Sequence, residues 1–258
     1  MTRLDLSRRG LITGGALTLG GLLMAGCDRL SQAPSFQKFT GSAEGLTYRS
    51  QRLLLSGQQL AREYSERDMS PVFKANGTMR PADPVYRAMA EDGFTDWRLR
   101  VEGLVARPFD LTLAQLRALP ARTQITRHDC VEGWSAIGKW TGPQLGALLE
   151  RAGLAANARF VVFHCADNLG GEGPAGLYYE SIDLIDAFHP QTILAHTMND
   201  APLAVAHGAP VRLRVERQLG YKQAKYVMRI EVVESLARFG LGKGGFWEDR
   251  GYEWYAGI

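Results

Sequence analysis

Three features of the 258-residue sequence predict an α+β fold that is mostly β. Several segments alternate apolar and polar residues at period two, the signature of strands with one buried face. Short apolar runs such as Arg159 to Phe163 read as buried strands. The segments with helical period are few and brief, and proline or glycine stops them.

In chain order, a helix is predicted from Arg52 to Tyr64, with Leu53, Leu60 and Tyr64 on a helical period. Trp97 to Val101 alternates strictly and reads as a strand. A short helix near Leu113 to Ala118 is stopped by Pro120. Residues 122–127 alternate toward a strand that delivers Cys130. Thr141 reads as the N-cap of a helix running to Arg151 and ended by Gly153, with Pro143 in its first turn. Arg159 to Phe163 leads into His164 and Cys165. Ser181 reads as the cap of another short helix, and Thr192 to Met198 as a strand ended at the Asn199-Asp200 turn. Val211 to Val215 and Tyr226 to Val233 complete the strands, which places both Cys130 and Cys165 where a strand gives way to a loop.

At 45% hydrophobic and 22% charged, the composition supports a sizeable core, and no repeat or low-complexity tract interrupts it. Residues 1–26 differ in kind. Ser7-Arg8-Arg9-Gly10-Leu11-Ile12 carries the paired arginines of a twin-arginine export signal, followed by an uncharged, glycine-rich apolar run. Leu23-Met24-Ala25-Gly26-Cys27 reads as a lipobox whose cysteine becomes a lipidated first residue; an uncleaved amino-terminal anchor is the alternative. Both put the protein on the periplasmic side of the inner membrane. Residues 27–64 form a linker and an amino-terminal helix, and 65–258 the main domain. Without residues 1–26, which hold Arg3, Arg8, Arg9 and Asp5, the 30 basic and 27 acidic residues become 27 and 26. A net charge of +1 gives no electrostatic case for nucleic acid.

Cys130 and Cys165 are the cysteines left, and their residue types admit either a disulfide or a metal thiolate. Arg212 and Arg214 share one strand face, with Arg217, Lys222 and Lys225 close behind and Gly208 and Gly220 bracketing them. That cluster reads as a site for a small anion or as a solvated face. His128 and Cys130 suggest a nucleophile pair without a visible orienting group, and His128, His164 and His189 lack zinc-ligand spacing. The aromatic, charged tail from Gly245 to Tyr255 reads as packing on its own domain, or as a docking surface.

Taken together, Cys130-Val131-Glu132-Gly133-Trp134-Ser135, Trp140-Thr141-Gly142, His207-Gly208-Ala209-Pro210-Val211-Arg212-Leu213 and Gly220-Tyr221-Lys222-Gln223-Ala224-Lys225 resemble the molybdopterin-binding domain of the sulfite oxidase family. Within it they are most similar to the branch of periplasmic protein-methionine-sulfoxide reductases. The resemblance covers roughly residues 65 to 258. It implies a sulfite-oxidase-type fold, a molybdenum-molybdopterin cofactor and two-electron oxygen-atom transfer.

Carried over by position, Cys130 supplies the thiolate to molybdenum, a soft donor suited to that metal. His207 and Arg212 hold the pterin, Gln223, Ala224 and Lys225 bind its phosphate, and Cys165 and, more weakly, Ser70, Phe73 and Lys74 contact the cofactor. Ser135 stands where sulfite oxidases have an arginine for the sulfite anion, and Glu132 adds a carboxylate that repels anions. Both disfavour sulfite and favour a small-molecule or protein-bound S-oxide or N-oxide, with Glu132 and Ser135 shaping the pocket and Tyr178 or Tyr179 at its mouth. A dehydrogenase of a small sulfur compound and a non-catalytic lipoprotein module with a Cys130-Cys165 disulfide remain open. The sequence has no Cys-x-x-Cys-His haem motif and ends soon after the last strands, so an added dimerisation domain is not expected. A membrane haem protein or quinone-linked cytochrome is then the expected electron partner, kept close by the anchor at Cys27.

Overall fold

The computed structural model describes residues 45–53, 59–170 and 176–258, and the chain divides into two compact units, residues 1–53 and 54–258. The described part of the first unit is a helix over residues 45–53. The export signal and Cys27 lie outside the described residues, and no helix among them is long and apolar enough to cross a membrane.

The second unit is built from eleven strands and four short α-helices among its described residues. A five-stranded sheet has the order β2 (Phe109–Thr112), β1 (Arg98–Gly103), β11 (Val227–Val233), β5 (Phe160–Asn168) and β6 (Leu177–Asp183). β1 and β11 run parallel; the other neighbours are antiparallel. A four-stranded sheet joins β3 (Ala121–Asp129), β4 (Ser135–Pro143), β8 (Thr197–Met198) and β9 (Ala201–Pro202), and β7 (Ile193–Ala195) pairs with β10 (Arg212–Arg214). The α+β architecture is the expected one.

Alternation places the core. On β1, Leu99 and Val101 are buried while Arg98 and Arg100 face out, as period-two side chains require. Helix α1 (Pro84–Glu91) starts at Asp83, whose carboxylate accepts the Tyr86 N–H at 2.7 Å, with Pro84 at its first position. The buried Tyr86 hydroxyl donates to Ala209 O at 2.6 Å and so ties α1 to the segment that leads into β10.

Four sequence expectations need correction. Residues 59–64 are not helical: Glu63 bridges Thr126 and the Tyr64 N–H donates to Ile125 O at 2.9 Å, while Gln191 bonds both backbone groups of Ala61. An open sheet edge supplies partners that a weakly amphipathic helix cannot match. Thr141 caps nothing; it lies within β4, which the sequence reading missed, opposite Thr123 and Thr197. Helix α3 (Leu145–Ala152) begins instead after Gln144, where the Leu145 N–H reaches Thr192 O, and ends at Gly153 with φ +70°. Ser181 is a β6 residue, and helix α4 (Leu184–Ala187) is capped by Asp183. Cys165 sits inside β5, opposite Val227, rather than at a strand end. The remaining helix, α2 (Leu113–Arg117), carries a Thr112–Gln115 capping box.

Candidate cofactor site

Cys130 is the first residue beyond β3. Its carbonyl accepts the Gly133 N–H at 3.0 Å and its own N–H donates to Trp134 O at 3.0 Å, closing a tight loop in which Gly133 takes φ +83°. The long β3–β4 ladder thereby presents one sulfur at a rigid hairpin tip. Asn76 Nδ2 donates to that sulfur at 3.2 Å.

The sulfur opens on a cavity of about 190 Å³. Phe73 is its aromatic hub, with ring centroids 5.3 Å from Trp140, 5.6 Å from His128, 5.8 Å from His207 and 6.4 Å from Trp134. Opposite the Phe73 ring, a Cβ at Gly138 would approach within 3.1 Å, so the closeness of β4 depends on glycine. At the mouth, Glu132 accepts from Trp134 Nε1 at 3.0 Å and from Lys74 Nζ at 3.3 Å, and both hold its carboxyl below the usual range. Its charge is therefore paired, which weakens the repulsion of anions expected from the sequence.

The inner wall is cationic. Arg212 is buried, and among the described residues its Nη atoms donate to the carbonyls of His207 (3.0 Å) and Gln223 (3.2 Å) and its Nε has no partner. Burial and the neighbouring Arg214 pull its guanidinium down, to about 9. Lys225 Nζ bonds three carbonyls among the described residues, those of Asn76 (2.7 Å), Ala206 (3.0 Å) and Thr78. Burial, with Arg212 adding repulsion, pulls it down to about 7. Burial also lowers His207, helped by Arg212 and Lys225. A Cβ at Gly208 would come 2.8 Å from Lys225 Cβ, so glycine lets that side chain in.

The expected five-residue cationic cluster is not one site. Arg214 is fully buried with Glu216, Arg217 pairs with Asp186, and Lys222 sits between Glu180 and Glu248. Only Arg212 and Lys225 of the five line the cavity. Sequence reasoning missed Asp167, which also lines it: 3% exposed, with Oδ1 unpartnered and its carboxyl raised by burial to about 6. It sits two residues beyond Cys165, on the same face of β5, so the alternation signal was available.

Phe73, Lys74, Cys130, Glu132, His207, Arg212, Gln223 and Lys225 thus come together, as does Tyr178. Ser70, Ser135, Cys165 and Ala224 lie outside the lining. Ser70 exchanges hydrogen bonds with the Ile137 backbone, Ser135 Oγ donates to Asp129 at 2.5 Å, Cys165 is buried in the core, and Ala224 O accepts from Leu213. Tyr179 turns away to Asp249 at 2.6 Å. His128 does not pair with Cys130: its Nδ1 meets Arg214 Nη1 at 3.0 Å. Both thiols are free, and no group of three or more His, Cys, Asp or Glu among the described residues is arranged to hold a metal.

These residues fit an anionic, metal-bearing organic cofactor. One soft sulfur faces the cavity, and of the two cations deeper in it, neither with a salt-bridge partner among the described residues, Arg212 keeps donors unspent. Asp167 is the group of opposite sign, and its raised proton affinity lets it go neutral beside an anion.

Residues 86–238 match the family of oxidoreductase molybdopterin binding domains. A protein of Azospira oryzae, named provisionally as the protein-methionine-sulfoxide reductase subunit YedZ1, is 36% identical over 98% of this chain and 89% of its own length. The protein-methionine-sulfoxide reductase catalytic subunit MsrP of Xanthomonas campestris is 34% identical, and that of Xanthomonas axonopodis 33%, each over 54% of this chain. Both of those alignments span only 46% of the relative's length. Among solved structures, the sulfane dehydrogenase SoxCD of Paracoccus pantotrophus superposes with a TM-score of 0.49 at 23% identity, covering 55% of this chain and 39% of that one.

Proposed function

The chain belongs to the oxidoreductase molybdopterin-binding domain family, a molybdopterin-dependent oxidoreductase of sulfite-oxidase type, and from that premise we propose that it reduces an S-oxide, with methionine sulfoxide as the substrate class. One observation carries the reading: a single thiol is held at a rigid hairpin tip, at the opening of a cavity whose inner cations, Arg212 and Lys225, form no salt bridge among the described residues.

When bound, the molybdenum-molybdopterin group supplies the two-electron oxygen-atom transfer. Cys130 is the residue that would ligate the metal, and the Asn76 N–H directed at its sulfur would help orient it. Arg212, Lys225, Gln223 and His207 would hold the cofactor's anionic and polar edge, and Phe73 one of its faces. Arg212 would serve through its unspent donors and Lys225 through its charge, an arrangement that a phosphate completes. Reducing an S-oxide to a thioether and water consumes two protons, and Asp167 is a buried carboxyl whose proton affinity lies near neutrality, able to hold one of them inside the cavity.

The pairing of Glu132 with Lys74 and Trp134 neutralises the carboxylate at the mouth, which suits a neutral substrate. Ser135 points to Asp129, so no guanidinium stands where an anionic sulfur compound would need one. The catalytic domain is read as residues 65–258, delivered to the periplasmic side of the inner membrane by the twin-arginine signal and anchored through Cys27. Electrons come from a membrane haem protein or quinone-linked cytochrome.

Protein exported through the twin-arginine route should carry about one molybdenum per chain. It should reduce methionine sulfoxide with a reduced-dye donor. Cys130→Ser should retain its far-UV circular dichroism but lose the metal and the activity. Wild-type protein that purifies without molybdenum, or that only oxidises sulfite, would overturn the reading.

A further inference from the structure

The family match ends at residue 238, yet the cavity continues beyond it. Trp247 and Tyr252, from the carboxy-terminal segment, line the same cavity as Cys130, as do Trp134 and Tyr221. Resting on the reductase reading above, we infer that these four rings form a recognition wall that selects sulfoxides bearing an apolar or aromatic flank over small sulfoxides and over N-oxides.

The wall is built. Trp247 and Tyr252 stack with centroids 5.3 Å apart at 28°, and Tyr221 meets Tyr252 edge-on at 5.0 Å and 85°. The Tyr252 N–H donates to Trp247 O at 3.0 Å and the Tyr221 hydroxyl to Glu253 O at 2.6 Å. Tyr178 donates to Tyr221 O. Beneath the rings, Lys222 Nζ lies 2.5 Å from Glu180 Oε1 and 2.5 Å from Glu248 Oε1, with all three side chains out of solvent. Lys222 adjoins Tyr221 in sequence and Glu248 adjoins Trp247, so this one node joins two parts of the wall. A Cβ on Gly245 would lie 1.9 Å from Glu248 Oε2, so glycine leaves room there for that carboxylate.

The chemistry of the wall sets its selectivity. Polarisable sulfur and apolar or aromatic groups gain from ring faces and edges. A cationic nitrogen would gain too, but Lys74 Nζ already sits over the Trp134 ring, 5.5 Å from its centroid, and Arg212 and Lys225 add positive potential from within. Fixed rings cost little ordering entropy when a ligand arrives.

The test compares wild-type holoenzyme with Trp247→Ala, Tyr252→Ala and Tyr252→Phe. It measures the ratio of kcat/KM for methyl phenyl sulfoxide to that for dimethyl sulfoxide, and molybdenum per chain. Binding of the product, methyl phenyl sulfide, is followed by quenching of tryptophan fluorescence, a readout independent of turnover. The expected result is a ratio about 10-fold lower in Trp247→Ala and Tyr252→Ala, carried by KM, with weakened sulfide binding and unchanged molybdenum. Tyr252→Phe, which keeps the ring, should keep the ratio. The inference fails if both alanine variants stay within about twofold of wild type, or if wild type prefers trimethylamine N-oxide. If Trp247→Ala does not fold, Tyr252→Ala, half exposed at the rim, decides the matter alone. Wild-type protein that reduces no sulfoxide would sink the reductase reading itself; sulfoxide reduction indifferent to the wall would sink only this inference.

Discussion

Replacing Lys222 with methionine should cost the domain about 3–4 kcal/mol at pH 7, and the cost should shrink in acid. The node holds one lysine between two carboxylates, and none of the three groups reaches solvent. Burial and Glu248 raise the Glu180 carboxyl well above its ordinary value, and the Lys222 ammonium opposes that rise. Methionine nearly matches lysine in length but brings no charge, and the pair of carboxyls must then keep one proton more than beside the ammonium. An unfolded glutamate ionises near 4.3, so holding that proton at pH 7 costs about 2.7 pK steps of about 1.36 kcal/mol each, roughly 3.7 kcal/mol; at pH 5 the cost is about 1 kcal/mol. The sign follows from a native-state affinity above the unfolded one: the native state is favoured at low pH and loses that advantage as pH rises past about 4.3. Urea denaturation of wild type and Lys222→Met at pH 5 and 7, at equal molybdenum content, measures it directly. A deficit that is independent of pH, or below about 1 kcal/mol at pH 7, would refute the account of the node.

Asp167→Asn should remove a pH dependence. The wild-type carboxyl, raised by burial to about 6 from an unfolded value near 3.9, costs stability as pH climbs through that window, on the order of 2–3 kcal/mol in total. The variant should therefore gain on wild type between pH 4 and pH 6.5 in urea midpoints. Gly142→Ala should destabilise by roughly 2–3 kcal/mol, because its Cβ would lie 2.0 Å from Leu194 O and force β7 away from β4; chemical denaturation at one pH suffices to check it.

How much of this was legible beforehand can be judged residue by residue. Trp97 to Val101, residues 122–127 and Tyr226 to Val233 announce their strands because a half-buried strand must alternate and a buried one must be apolar. β4 is hidden, since Gly138, Gly142 and Pro143 imitate a loop and Thr141 imitates a cap. Its partners on both sides, β3 and β8, decide the matter through backbone bonds that no local pattern encodes.

Periodicity along the chain was enough for the α+β class, while Cys130 as the thiol and Arg212 and Lys225 beside it came from the resemblance of the ordered motifs to the sulfite oxidase family, since residue types alone left a disulfide and a five-residue cationic cluster open. Tertiary structure alone decided which charges are free. Arg212, Arg214, Arg217, Lys222 and Lys225 look alike in sequence, yet three of them meet buried carboxylates from Glu216, Asp186, Glu180 and Glu248, up to 42 residues away. It also turned the tail into a cavity wall by laying Trp247 and Tyr252 against Tyr221. The reason is physical: a buried charge takes its meaning from the partner beside it, and folding chooses that partner across distances that local pattern does not reach.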